Sequence, residues 1–282
     1  MFLQVQAHLS YNSAYKCARK QMKKNREYGG EMHPKEIDAI LKENADVERI
    51  DLGVMDIPVN QIIGVADCEG KERYAAGFLP VCPATSGYAE HWRELYINYK
   101  QDKGFLSRLY CYEYLGKFYI VDGKKRVSIL KSLDVPVTSA YVTRIVPAFS
   151  EEKHIQLYYE FIEYFKLTKL YQVSFSQHGS FEKLQKLMGH EPDQVWNDDE
   201  RRMMLHDLRR IDAALESAFG GYMNVTPADA LLVLLEEHSF QQIRRMALSV
   251  MADHLQRKWK ILYGLCSMDT NETETETSQT AS

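Results

Sequence analysis

Strand-forming sequence is confined to about a third of this 282-residue chain, and that confinement limits the fold more than any other feature. Val54–Val59, Leu109–Tyr114, Phe118–Val121 and Val137–Arg144 are short runs rich in β-branched and aromatic residues, the composition that suits a pleated, half-buried surface. All four lie between Val47 and Pro147. From Ser150 onward apolar residues recur at helical spacing instead. A few short strands must bury at least one sheet face against helices, so the expected class is α+β. Its parts are an N-terminal helical arm (1–46), a sheet-containing domain (47–147), an all-α C-terminal domain (148–265) and a disordered acidic tail (266–282).

Helix boundaries are marked along the way. Tyr11–Tyr28 is basic and free of Gly and Pro, Gly29-Gly30 breaks it, and His33-Pro34 opens a second helical stretch, Lys35–Asn44. Tyr88–Lys103 is a further candidate, and Gly116-Lys117 suits a tight turn between strands. Beyond the strands, Ser150 reads as an N-cap ahead of Ile155, Tyr158, Tyr159, Ile162 and Phe165. Asn197 with Glu200 reads as a capping box, with Gly220-Gly221 as the stop. Thr226-Pro227 is an N-cap followed by proline at the first helical position, and Phe240–Leu265 continues the helical half.

Composition narrows the class. With 45% hydrophobic and 26% charged residues the chain can build a core. Five scattered cysteines (Cys17, Cys68, Cys82, Cys111, Cys266) give neither a disulfide framework nor a zinc template. No run of about 18 apolar residues is present, and Met1–Ser13 lacks a signal-peptide core, so a soluble cytoplasmic protein without membrane partners is expected. The formal net charge of −4 equals the tail carboxylates Asp269, Glu272, Glu274 and Glu276. The neutral remainder is blocked: Lys16, Arg19, Lys20, Lys23, Lys24 and Arg26 precede an acidic stretch, Glu27–Asp51. Weak overall acidity argues against a general DNA coat. It leaves room for one small anion site.

That site is read at Asp122-Gly123-Lys124-Lys125-Arg126-Val127-Ser128, where a strand runs into glycine and three bases open a helix. Cations at a helix start oppose the dipole, by about 0.3–1 kcal/mol each. A phosphate held by both backbone N–H groups and side chains reverses that sign. A solvated basic helix start is the plainer reading of the same residues. Asp122 reads either as a metal-facing carboxylate or general base beside a bound phosphate, or as a turn or N-cap acid neutralising Lys124 and Lys125.

The segment resembles the ParB/sulfiredoxin superfamily, whose hallmark is a strand, a Gly-x-x-Arg turn and a helix, here Gly123-Lys124-Lys125-Arg126 followed by Val127–Leu130. Ile57-Pro58-Val59-Asn60-Gln61-Ile62 is similar to the family's opening strand and its Ile-Pro-x-x-x-Ile pattern, Tyr88–Gly104 to its helix leading to a glycine, and Leu133–Val142 to the strand after the motif helix. The resemblance covers Val47–Pro147 and implies a small mixed-sheet domain. It also implies a nucleotide phosphate site at Gly123, Lys124, Lys125, Arg126 and Ser128, with Arg73 as a further phosphate-facing base. The implied ligand is a nucleoside triphosphate (CTP or ATP) with Mg2+, and the implied role is a regulatory or partitioning-type protein, associated with DNA and homodimeric. Lys124 stands where sulfiredoxins carry their nucleophilic cysteine and where ParB proteins carry an acid. Sulfiredoxin chemistry is therefore not expected, and binding is expected ahead of hydrolysis. Some relatives are small-molecule kinases, which makes a phosphotransferase with catalytic Asp122 the alternative.

ParB proteins follow this domain with a helix-turn-helix, and Ser180–Trp196 is the nearest candidate. Gln185 occupies its small-residue position, Pro192 limits the second helix, and Asp193, Asp198, Asp199 and Glu200 would repel phosphates. The Lys16–Arg26 bases form a cationic side suited to nucleic acid or anionic lipid, and are read first as a solvated face docked on the acidic Glu27–Asp51 segment. Trp259, among Arg257, Lys258 and Lys260, is read as packing on its own domain. The nine histidines show no ligand spacing; His91 and Glu94 share a helix face without a third ligand, so no metal site is expected.

Overall fold

The computed structural model describes residues 2–43, 47–102, 108–220 and 225–267. The chain divides into two compact units, Met1–Ala148 and Phe149–Ser282. Most of the expected tail, from residue 268 on, lies outside the described residues.

The first unit runs α1 (Phe2–Tyr28), β1 (Lys35–Glu36), α2 (Ile37–Glu43), β2 (Val47–Pro58), β3 (Ile62–Val65), α3 (Gly87–Gln101), β4 (Leu109–Tyr114), β5 (Lys117–Asp122), α4 (Lys124–Ser132) and β6 (Val137–Pro147). Its sheet is mixed, with strand order β1-β3-β5-β4-β6-β2. Parallel pairs join β1 to β3, β3 to β5 and β4 to β6, while β4–β5 and β2–β6 are antiparallel. The α+β class stands.

Several boundaries differ from the expectation for local reasons. Strand β2 begins at Val47, well before Val54, because it is an edge strand whose first half, Glu48–Asp51, is exposed and carries polar residues that hide the pattern. The β4–β5 turn is centred on Leu115 and Gly116, both left-handed (φ 50° and 74°). Two such residues match the twist of the flanking strands, so the turn falls one residue earlier than expected. Lys35–Glu36 is extended and pairs with Gly64–Val65, which delays α2 to Ile37. Gly64 is required there: a Cβ would lie 2.4 Å from the Tyr119 ring and 2.5 Å from the Lys35 carbonyl oxygen.

Helix α1 starts at Phe2 and buries a narrow stripe, Ala7, Tyr11, Ala14 and Ala18. Small residues let α3 approach, and Tyr11 meets Trp92 edge-on at 5.2 Å. Ala7, Tyr11, Ala89, Trp92, Tyr96 and Ile129 form one cluster joining α1, α3 and α4. This contact corrects the expected docking onto Glu27–Asp51: α1 packs on α3, and Lys16, Arg19, Lys20, Lys23, Lys24 and Arg26 remain exposed. A second cluster sets Ile37 of α2 against Ala66, Tyr114, Tyr119 and Ile145. Between β4 and β6 the register pairs Glu113 with Arg144, and their side chains form an ion pair with both partners buried.

The regular elements of the second unit's described residues are all helices: α5 (Lys153–Thr168), α6 (Ser180–Leu187), α7 (Asp198–Phe219), α8 (Pro227–Leu234), α9 (Phe240–Arg245), α10 (Leu248–Arg257) and α11 (Trp259–Ser267). Asn197 and Glu200 form the capping box that opens α7, and left-handed Gly220 closes it. Thr226 caps α8, accepting from Asp229 N at 3.0 Å. Ser150 is not the cap of α5; the N-cap is Glu152, and Ser150 Oγ accepts from its N–H at 3.4 Å. Trp259 is about half exposed, against the expectation that it packs inward.

No helix-turn-helix forms in Ser180–Trp196. After α6 the chain stays non-helical until Asp198, far beyond the three or four residues such a turn allows. Gln185 is the cause as well as the misfit. Buried, it donates through Nε2 to the carbonyls of Glu191 and Gln194, both at 3.0 Å, and accepts from Trp196 Nε1 at 2.8 Å. Its amide therefore fixes the residues expected to form a second helix as a loop. Among the described residues no helix is long and apolar enough to cross a membrane.

Candidate functional site

Strand β5 ends at Asp122, and Gly123 turns the chain into α4 with φ 112°. That backbone is open to glycine and strained for other residues. Space also demands glycine, since a Cβ would lie 2.4 Å from Leu109 Cδ2 and 3.0 Å from Arg126 Nε. The N-cap is Gly123, which has no side chain to cap α4, and an anion at this end meets the favourable pole of the helix dipole. Val127, Ile129 and Leu130 are buried and anchor the helix.

A cavity of about 560 Å³ opens at this point, within the size range of small-ligand sites. It is lined by Asp122, Gly123, Lys124, Lys125 and Arg126 together with Arg73, Glu69, Gly70 and Tyr74 from the segment before α3. Folding thus brings Arg73 to the turn residues across some fifty positions of sequence. Ser128 is not brought there. It is fully buried, and its hydroxyl accepts from Trp92 Nε1 at 3.0 Å, which makes it part of the α3–α4 packing.

The three bases of the turn differ in what they meet. Lys124 Nζ pairs with Asp67 Oδ1 at 3.0 Å and donates to the Glu69 carbonyl at 2.6 Å. That hydrogen bond and charge hold the Asp67 carboxyl below its usual range. Arg126 pairs with Asp122 one turn before it and donates to the Arg108 carbonyl at 2.9 Å. Lys125 pairs with no carboxylate among the described residues. Its ammonium lies 3.2 Å from His91 Nδ1 and 5.4 Å from the centre of the Tyr88 ring. Partial burial and the nearby Arg73 charge hold Lys125 below the ordinary lysine range. Arg73 faces one carboxylate among the described residues, the exposed Glu72 at 3.6 Å.

Asp122 is exposed along most of its side chain and neutralises Arg126, not the two lysines expected. The carboxylates lining the cavity are Glu69 and Asp122, and with Asp122 engaged by Arg126 a Mg2+ ion would enter chiefly on a ligand's own phosphates. One strand away, Tyr110 pairs with Asp122 across the β4–β5 ladder and stacks on Tyr141 at 4.9 Å, both rings partly exposed.

Sequence reasoning missed the acceptor loop Asp67–Gly70, His91 and the Tyr88 face. The loop carries a turn signal, since Asp67 Oδ1 accepts from Glu69 N at 2.8 Å and Gly70 is left-handed, but a turn signal says nothing about what it will face. His91 was visible as a potential metal ligand; its neighbour proves to be a lysine. No family model matches the chain, and no curated protein matches it.

Proposed function

We propose that the cavity at the start of α4 binds a nucleoside triphosphate, and that the protein is a ParB-like regulatory or partitioning-type protein. The observation that carries the reading is Lys125: a cation held beside Arg73, without a carboxylate partner among the described residues, at a helix start whose N-cap is glycine. Such an arrangement is unfavourable until an anion enters, and a phosphate satisfies the ammonium, the guanidinium and the backbone N–H groups together. A nucleotide in preference to bare phosphate rests on the resemblance of Gly123–Arg126 to the ParB/sulfiredoxin motif; the Tyr110–Tyr141 stack is not part of the cavity lining.

Titration with CTP, ATP, GTP and inorganic tripolyphosphate, with and without Mg2+, tests this. Nucleotide binding tighter than tripolyphosphate, weakened by roughly tenfold to a hundredfold in Lys125→Ala and weakened also in Arg126→Ala, is the expected result. No binding of any of the four, or binding unchanged in both variants, removes the reading.

The alternative, a nucleotide-dependent phosphotransferase, rests on Asp122 lining the cavity. Its pairing with Arg126 favours the binding role, and turnover that persists in Asp122→Ala would deny it a part in catalysis. Association with DNA would fall to the exposed bases of α1, since Ser180–Trp196 forms no reading helix, and affinity that drops steeply with salt is its mark.

A further inference from the structure

Folding of the second unit assembles a donor set that the sequence keeps apart. Glu237 and His238 lie in the turn after α8, and His254 lies sixteen residues further on, within α10. One ligand atom from each comes within 4.8 Å of the other two. His238 Nε2 and His254 Nδ1 are 3.3 Å apart, with the ring planes at 83°.

That separation is informative. Zinc–nitrogen bonds of about 2.0–2.1 Å at a tetrahedral angle place two imidazole nitrogens about 3.3 Å apart. The carboxylate of Glu237 is held from its outer side by Lys258 Nζ at 2.5 Å from Oε1. A carboxylate has a second oxygen, so Lys258 can orient Glu237 while that oxygen turns to a cation, as outer partners of metal ligands do. The backbone beneath is fixed: Glu237 N and His238 N both donate to the Leu234 carbonyl, at 3.2 and 3.0 Å. Ser239 and Gln242 then close a capping box on α9. Both histidines are half-buried and Glu237 is exposed, so the donors are ordered yet open to solvent. Lys258 and Arg257 bring positive charge nearby and Asp253 negative charge, leaving the local field mixed.

We propose that Glu237, His238 and His254 form a divalent transition-metal site that joins the turn after α8 to α10. Two imidazoles and one carboxylate suit Zn2+ in preference to Mg2+ or Ca2+, which prefer all-oxygen shells. Three protein ligands leave a fourth position for water. An ion bound only by the folded chain raises its melting temperature by mass action. The proposal stands apart from the nucleotide site, which lies in the other unit.

The test uses the full chain after chelator treatment, with exposed Cys17 and Cys68 changed to serine to remove competing thiols. Zn2+ titration should show one equivalent bound and a rise in melting temperature. His238→Asn and His254→Asn should each lower affinity at least tenfold, whereas Lys258→Met should change it less. In the chain with both histidines intact, Zn2+ should shift the ring 15N resonances of His238 and His254, a readout that needs no variant to fold. Absence of binding overturns the proposal, as does equal binding by the doubly substituted chain or 15N shifts confined to other histidines.

Discussion

Two arginine–carboxylate pairs in the first unit share their chemistry and differ in their surroundings. Glu113 and Arg144 sit side by side in the sheet with their side chains at 0% and 5% exposure; Asp122 and Arg126 sit at the rim of the cavity, where the carboxylate is 70% exposed. Away from water neither member of the first pair can be given up without stranding the other, so that pair fixes the β4–β6 register. At the rim, water can replace Asp122, and Arg126 is available to a better anion. Between these extremes lies Lys125, partly buried and without a carboxylate, where the structure carries an imbalance that a ligand can relieve. The lesson is that burial decides whether a charge is structural, exchangeable or waiting.

Four substitutions test that contrast. Glu113→Gln should have the largest effect, about 3–5 kcal/mol lost in denaturant unfolding, because Arg144 is left buried without its counter-charge. A loss below about 1 kcal/mol, the level of an exposed pair, would erase the distinction. Lys125→Ala should do the reverse, leaving stability unchanged or slightly higher while lowering nucleotide affinity by roughly tenfold to a hundredfold, the value of one charge-assisted hydrogen bond. Equal loss of stability and affinity would make Lys125 a structural residue.

Lys131 offers a control for burial without an anion site. Its ammonium donates to the Ile62 carbonyl at 2.6 Å and lies 5.3 Å from the centre of the Phe78 ring, and burial lowers its pKa to about 8. The charged form is therefore disfavoured in the folded chain, by up to about 3 kcal/mol. That penalty is full below pH 8 and fades as pH rises from 8 toward the unfolded value of 10.5. Lys131→Met should be more stable than the parent at pH 7, and the gap should narrow by pH 10; a gap independent of pH would remove the charge from the explanation. Asp122→Asn should change least, under about 1 kcal/mol in stability, with modestly tighter nucleotide binding as Arg126 is freed. Weaker binding would reassign Asp122 to the ligand.

The legible parts of this protein were those set by neighbours in sequence. The strand at Leu109–Tyr114, the Asn197–Glu200 capping box, the Thr226-Pro227 start and the Gly123 turn each depend on a few adjacent residues, and each forms where expected. The polar first half of β2 was not legible, because an exposed edge strand needs no alternation on a buried face. Gln185 misled in a different way: read as a misfit in a short motif, it proves to be the residue that holds the loop.

Local pattern alone showed that this chain is α+β, that every strand but the two-residue β1 falls between Val47 and Pro147 among the described residues, and that three bases open a helix behind a glycine. Only the tertiary structure decided which of those bases keeps an uncompensated charge. Asp67 reaches Lys124 from more than fifty residues away and Ser128 turns inward to Trp92, leaving Lys125 with Arg73 at the cavity. It likewise placed His254 beside His238. Local pattern fixes backbone geometry because that depends on adjacent residues; electrostatic partnership falls off with distance in space, and distance in space is what folding sets.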